Sequence, residues 1–536
     1  MLRIIITSIA LGFLVHHGFF IRGEWHLAAP RVILAHLVII PAFFSWQLYR
    51  DEDYKLGKLV SVAIAASTYV FGLFLSIVIY RLYFHRLKKF PGPRLAGVSK
   101  LWHVWQCRSS RGHHVLEQLY KEYGPFVRTG PNEITIFHPA VYDAMDGPKN
   151  RNTRSDWYDL LYPRVSSIFT RDAKTHDLRR KVWDNAFHQV ALSNYYKGLT
   201  KHVRRLERIL DEGSGKPFVV NDILYRFSFD SMGDFGFSED FKSLESGNCN
   251  SAQNNLSSAI SLLGPFSPAI WIPRIAFAFI PGVWKVRDWF QMLEDADSLM
   301  NSRMKKKKAG KDISHFFIEA YKSGQKTQVT RQLLSGDTVT LLVAGSDSTA
   351  PSLIVLLYFL ARYPKHAEKI RHELEGVDIT DVKALSGLHH LTGTINESMR
   401  LLPAILSFSS RVTPPEGLMI DNTYIPGNTK ICAPRYSIGR MASAYTSPHE
   451  FLPERWYSQP ELIKDKRAFA PFGLGRTSCV GKHLAMAQMR LVAASILTNF
   501  HVRFVCTEEE MTVERDMLDQ LTAKPGKLRL IFEKRC

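Results

Sequence analysis

The stretch FGLGRTSCVGKHLA, residues 472–485, sets one cysteine, Cys479, in a glycine-rich loop that opens onto an apolar-periodic run, LAMAQMRLVAASIL. A thiol placed there meets free backbone N–H groups and the positive end of a helix dipole, both of which favour the thiolate. Such a sulfur can be a nucleophile, a metal ligand or an inert buried cysteine, and the loop alone leaves all three open. Zinc is disfavoured, because Cys479 and His483 are half a site and no second C-x-x-C or H-x-x-x-H completes it. Two further patterns carry polar groups into apolar surroundings. ESMR, 397–400, puts Glu397 and Arg400 on one helical face, and FLPERW, 451–456, offers Arg455 as a third member. AGSDST, 344–349, interrupts the longest helical pattern with Asp347, Ser348 and Thr349. Hydroxyls in mid-helix compete for backbone carbonyls and bend the helix. An acid beside a hydroxyl can also deliver protons to a small ligand held in the kink.

The elements that must position these groups are mostly helices. His113–Tyr123, the broken run Leu333–Tyr363, Pro364–Leu374 and Leu391–Leu402 have helical periodicity, and alternation in EITIF (133–137), MIDNTYIP (419–426), TKICAP (429–434) and KLRLIF (527–532) predicts small sheets. With 46% hydrophobic and 22% charged residues the chain has ample core material. The six cysteines, at 107, 249, 432, 479, 506 and 536, are too scattered for a secreted disulfide framework. The net charge of +19 does not imply nucleic acid: the first 89 residues hold ten Lys/Arg against four Asp/Glu, and the run Lys305–Lys308 reads as a solvated loop with no nucleic-acid motif beside it.

Residues 1–89 read as a membrane anchor. Leu59–Tyr80 is an uncharged run long enough to span a bilayer, and Arg81, Arg86, Lys88 and Lys89 follow it as a cytoplasmic flank. Two weaker candidates precede it, Ile4–Ile21 with His16 and His17, and Val32–Tyr49 with Pro41. A cleaved leader ending near the Ala-rich stretch at 28–30 is the other reading of the first. Three spans (4–21, 32–49 and 59–80) place everything after residue 89 in the cytoplasm. FPGPR opens a proline hinge over 90–98, because its prolines cannot continue a helix. Residues 99–536 then form one domain, mainly α with small β-sheets.

Taken in order, the hinge, A-G-x-D, E-x-x-R, P-E-R-W and F-x-x-G-x-x-x-C-x-G resemble the membrane-bound cytochrome P450 haem-thiolate monooxygenases, across about 390 residues. Three apolar segments with AGSDST and TAKPG (522–526) look most like fungal members of that family. The resemblance implies the cytochrome P450 fold and makes Cys479 the thiolate ligand of a haem b iron. By the same resemblance Phe472 packs beside the cysteine, and Gly475 and Gly481 let the backbone approach sulfur and porphyrin. His176 and Arg180 in HDLRR, Arg411 in SSRVTP and Arg476 become partners of the haem propionates. Glu397, Arg400 and Arg455 are structural, and Asp347, Ser348 and Thr349 serve proton delivery.

Substrate contacts are implied in the 152–172 loop and at Val343, Ala344, Ile405, Leu406, Phe408, Gln520 and Leu521, most of them apolar. PFSPAIWIPRIAFAFIPGVW, 265–284, reads equally as a core segment or as an entry lip dipping into the bilayer. The implied reaction inserts one atom of O2 into a lipophilic secondary metabolite. Its electrons come from NADPH through NADPH–cytochrome P450 reductase, for which Arg476, Lys482 and His483 form a basic docking surface. The endoplasmic reticulum is the expected membrane. The rival expectations are a reductase-independent isomerase or dehydratase of the same family and a non-catalytic membrane haem protein. Two positions depart from the family pattern. Thr477 stands two residues before the cysteine, where Arg or His is usual, and Ser348 stands where threonine is usual.

Overall fold

The computed structural model describes residues 1–50, 56–306, 310–324, 330–407 and 410–535. Lys307 and Lys308 of the basic run, and Phe408, lie outside the described residues.

Helices dominate, and their ends fall where the sequence supplies caps. Asp172 accepts from Thr175 N at 2.7 Å and starts helix Ala173–Ala186. Helix Arg331–Ser346 begins at Thr330, whose hydroxyl accepts from Leu333 N, and stops at a turn over Asp347 and Ser348 before Thr349–Arg362 resumes. The cysteine loop leads into Lys482–Asn499, which is apolar on nearly every face and buried in the core. A helix of that kind belongs in the middle of a large protein.

The sheets are small, as the alternation predicts. The largest has the order Phe126–Gly130, Glu133–Ile136, Lys430–Cys432, Ser410–Val412, Thr153–Arg154, with one parallel pairing, between Glu133–Ile136 and Lys430–Cys432. Its last pairing sets Arg154 directly opposite Arg411. Among the described cysteines none is paired in a disulfide.

At the N-terminus, Leu2–Phe20 and Val60–Phe84 are long and apolar enough to cross a membrane. They pack against each other where Gly12 and Gly72 remove side chains. A Cβ on Gly12 would lie 2.5 Å from Leu73 N, and one on Gly72 would lie 2.7 Å from Ile9 O, the small-residue contact that lets membrane helices approach closely. Ala29–Arg50 is a further helix between them. A third stretch of spanning length, Arg331–Arg362, is the interrupted helix and is mostly buried inside the protein body. Phe90–Pro93 runs without helix into a short helix, Arg94–Val98, which covers the rest of the expected hinge.

The Glu397 carboxylate accepts from Arg400 at 2.8 and 2.9 Å, from Arg455 at 3.0 Å, from Trp456 Nε1 at 2.9 Å and from Leu452 N at 3.0 Å. Both guanidiniums spend their remaining donors on carbonyls of residues 439–462, and both lie over the Tyr445 ring. A buried charge cluster is tolerable only when satisfied this completely. It fastens the long irregular segment before the cysteine loop to helix His389–Leu401. Glu397→Gln leaves two buried arginines without a counter-charge, at a cost of about 3–5 kcal/mol. We expect a large drop in folded yield and in thermal midpoint, and a midpoint within 2 °C of the wild type would contradict this role.

Candidate active site

Cys479 sits at the mouth of its loop with its side chain open rather than packed away. Its backbone N–H donates to Phe472 O at 2.7 Å, closing the loop on itself. Gly473 and Gly475 have φ of +69° and +58°, which residues with side chains rarely adopt. A Cβ on Gly475 would also lie 2.2 Å from Asp146 O. The turn at 475 and the Asp146 carbonyl both require glycine there. A Cβ on Gly481 would meet Cys479 Sγ at 3.8 Å, an ordinary contact that would nonetheless fill space beside the sulfur. Phe472 packs half-buried against the core.

Although the sulfur is open on one side, dense protein behind it pushes the thiol pKa up through desolvation. The N–H groups of Gly481 and Lys482 and the charges of Arg180 and Lys482 act the other way. A cation binding at the sulfur would complete what these donors begin.

Beside the loop, Arg154, His176, Arg411, Arg476 and Thr477 line one cavity. Arg154 and Arg411 face each other across two paired strands, and like charges so placed are unfavourable without an anion between them. Asp146 supplies part of the compensation, accepting from Arg411 Nε at 2.8 Å. Thr477 joins that pair: its hydroxyl donates to Asp146 Oδ1 at 3.1 Å and accepts from Arg411 at 3.1 Å. The departure at 477 is thereby built into the cradle.

Arg476 is exposed at the cavity's edge, 3.6 Å from Asp177. Arg180 turns to the cysteine loop, donating to Ser478 O at 2.6 Å and to Asp184 Oδ1 at 2.7 Å. From there it braces the loop, and its charge favours the thiolate form of the sulfur. His176, buried, has its pKa lowered, chiefly by desolvation. Its neighbour Arg179 is wholly buried against Asp337, which also accepts from Trp183 Nε1 and from Ser167 N at 3.0 Å each. This second buried ion pair ties helix Ala173–Ala186 to the interrupted helix.

Within the interrupted helix, Leu341, Leu342 and Ser346 are buried while Ala344 is exposed, so the chain opens there onto a space. Ser348 Oγ donates to Ala344 O at 2.8 Å. Asp347 is buried, and desolvation raises its pKa while a hydrogen bond from Thr522 Oγ1 and the charge of Lys524 hold it down. The acid's hydroxyl partner is therefore Thr522 rather than Ser348. Thr349 is buried. Gly345 is set by packing, since a Cβ there would lie 2.8 Å from Met232 Cγ.

Val343, Leu521 and Val480 pack half-buried against one apolar cluster. Leu521 is the apex of the hairpin Leu518–Gln520/Thr522–Lys524, with φ of +88°, a strained backbone held by the pairing on either side. Ile405 is half-buried. Leu406 is wholly buried in the main core, which corrects its expected contact with substrate: it backs the site. Arg154 and Thr522 had no signal in spacing, since strand register and a turn distant in sequence bring them in.

An exposed, donor-stabilised thiol beside a cationic cradle and an opened helix fits a planar dianionic cofactor with a soft-ligand metal. The class so defined is a haem-thiolate protein. The profile of the cytochrome P450 family matches residues 91–532. The chain is 34% identical to tryprostatin B 6-hydroxylase of Neosartorya fischeri, over 93% of this chain and 92% of that one. It is 32% identical to cytochrome P450 monooxygenase notG' of Aspergillus versicolor, over 98% and 96%. The fold is similar to the cytochrome P450DA haem domain, with a TM-score of 0.69 and 18% identity over 83% of this chain and 98% of that one. The chain belongs to the cytochrome P450 family and is a monooxygenase, with fungal relatives.

Because the Thr522 hydroxyl lowers the Asp347 pKa, Thr522→Val should raise it further. Losing a hydrogen bond to a charged group costs about 1.5–3 kcal/mol, or roughly one to two pH units. The acid limb of the pH profile for coupled turnover should move up by that amount. An unmoved limb would detach Asp347 from proton delivery.

Proposed function

We propose that this chain hydroxylates a lipophilic secondary metabolite, drawing electrons from NADPH through NADPH–cytochrome P450 reductase on the same membrane. The observation that carries the reading is Ala344, exposed in a buried helix and followed three residues later by an acid with a hydroxyl partner. The hydroxylase named among its relatives, in a fungus, supports the choice of substrate class and reaction.

In this reading Cys479 ligates the iron of haem b, and Arg154, His176 and Arg411 hold the propionates. Bound there, haem supplies activation of O2, one atom of which enters the substrate while the other leaves as water. Val343, Ala344, Ile405 and Leu521 offer an apolar surface to the substrate, with Phe408 as a further candidate. The Asp347 carboxylate, whose Oδ2 accepts from Thr522 Oγ1, takes up a proton from the protein side, and Ser348 Oγ, which donates to the Ala344 carbonyl, is the hydroxyl that passes protons into the opening. The serine lacks the methyl group that would restrict its rotamer.

Three spans anchor the chain in the endoplasmic reticulum, with the catalytic domain in the cytoplasm behind the flank Arg81–Lys89. Exposed Arg476, Lys482 and His483 surround the cysteine loop and suit an acidic reductase surface. An acid buried beside the opening favours oxygen chemistry over the reductase-independent isomerase or dehydratase.

Reconstitution in vesicles tests this. Product should appear only with NADPH and the reductase together, and product formed with haem protein alone would favour the isomerase. Ser348→Thr removes about 0.5 kcal/mol of rotamer freedom, so peroxide released per NADPH should fall about twofold. Unchanged peroxide release would show that the serine hydroxyl is already fully ordered.

A further inference from the structure

We propose that the turn between the first two anchor helices, residues 21–28, is a latch that positions segment 154–172, the wall shared by the cofactor cradle and the substrate side. The idea uses the anchor reading, which keeps this turn on the same membrane face as the catalytic domain, and it holds whatever the substrate.

The turn is rigid by itself. The Trp25 ring packs on Phe19 and Phe20 with centroids 4.3 and 5.3 Å apart, and its Nε1 donates to Arg22 O at 3.0 Å. From this base Glu24 receives both terminal nitrogens of Arg171, one at 3.0 Å, a bidentate pairing that fixes direction as well as distance. His26, buried, lies 2.8 Å from Asp159 Oδ2, and the same oxygen accepts from Arg171 at 3.2 Å. Two anchor residues and two catalytic-domain residues thus make one network.

The network leads inward. Arg171 Nε donates to Arg154 O at 3.0 Å, and Arg154 in turn donates to Ser167 O and Thr170 O at 2.8 Å each. Arg154 is the cradle residue opposite Arg411, and Tyr158 of the same segment accepts from Arg411 at 2.7 Å. A second grip comes from the anchor's middle helix, Ala29–Arg50, which packs against helix Trp271–Phe279. From that helix Arg274 donates to Tyr162 O at 2.5 Å. This places the apolar 265–284 stretch between anchor and site. Segment 154–172 itself has little regular structure, only a two-residue strand and one short 3-10 turn, so it depends on such ties for its shape. Arg171 and Glu24 are therefore positioning residues, acting through Arg154 and Asp159.

The test is hydrogen exchange on the full-length chain in nanodiscs, comparing Glu24→Arg, Arg171→Glu and the double exchange of both charges. Each single variant should speed exchange across 154–172 about two- to fivefold, as expected for a partly exposed charge pair. Helix Lys482–Asn499 should stay unchanged as proof of fold, and the double variant should return exchange toward the wild-type rate. Release of haem to apomyoglobin should follow the same order. Single variants without effect, or a double variant no better than the singles, would overturn the latch. Exchange does not need turnover, so this outcome is independent of whether the hydroxylase reading survives.

Discussion

A sulfur that must remain ionised while protein crowds it depends on donors that cannot move away. Desolvation acts against the Cys479 thiolate, and the opposing groups come from separate elements: N–H groups and Lys482 from the start of the following helix, and Arg180 from helix Ala173–Ala186. Keeping them aimed at one atom requires the loop to hold its shape. Two left-handed glycines, the Cys479–Phe472 backbone bond and the close passage under Asp146 O all serve that end. Electrostatic preorganisation of this kind is paid for by the rest of the fold.

Two buried ion networks provide the rigidity. Glu397 with Arg400 and Arg455 fixes the irregular approach to the loop, and Asp337 with Arg179 locks helix Ala173–Ala186 to the interrupted helix. One network holds the segment that leads to the cysteine loop, and the other steadies the helix that carries Arg180 and His176. The cradle of Arg154, Arg411 and Asp146 joins the small sheet to the same region, and the anchor's turn grips it from outside. Site, scaffold and membrane segment are thus mechanically continuous.

Much of this was legible in the sequence because the signals are local. The cysteine loop, the i, i+3 pair Glu397–Arg400, the interrupted apolar run and the uncharged span after residue 59 each declare themselves within a few residues. What escaped depends on tertiary placement. Arg179 and Arg180 are adjacent, so helical rotation sends one into the core and the other to the loop, and sequence gives no reason to choose between them. Thr522 meets Asp347 only through a hairpin whose apex, Leu521, adopts a strained backbone. Arg154 enters the cradle through strand register, and Glu24 reaches Arg171 across the boundary between anchor and domain. Leu406 has the right type for substrate contact but faces the core, since apolar character is shared by both destinations.

The central claim, that Cys479 holds haem through its thiolate, is tested most directly by the carbon monoxide difference spectrum of dithionite-reduced membranes containing the full chain. The account predicts the far-red-shifted Soret band of a thiolate-ligated haem, lost in Cys479→Ala while the fold persists by circular dichroism. A band at the histidine-ligated position in the wild type, or a red-shifted band that survives Cys479→Ala, would contradict it.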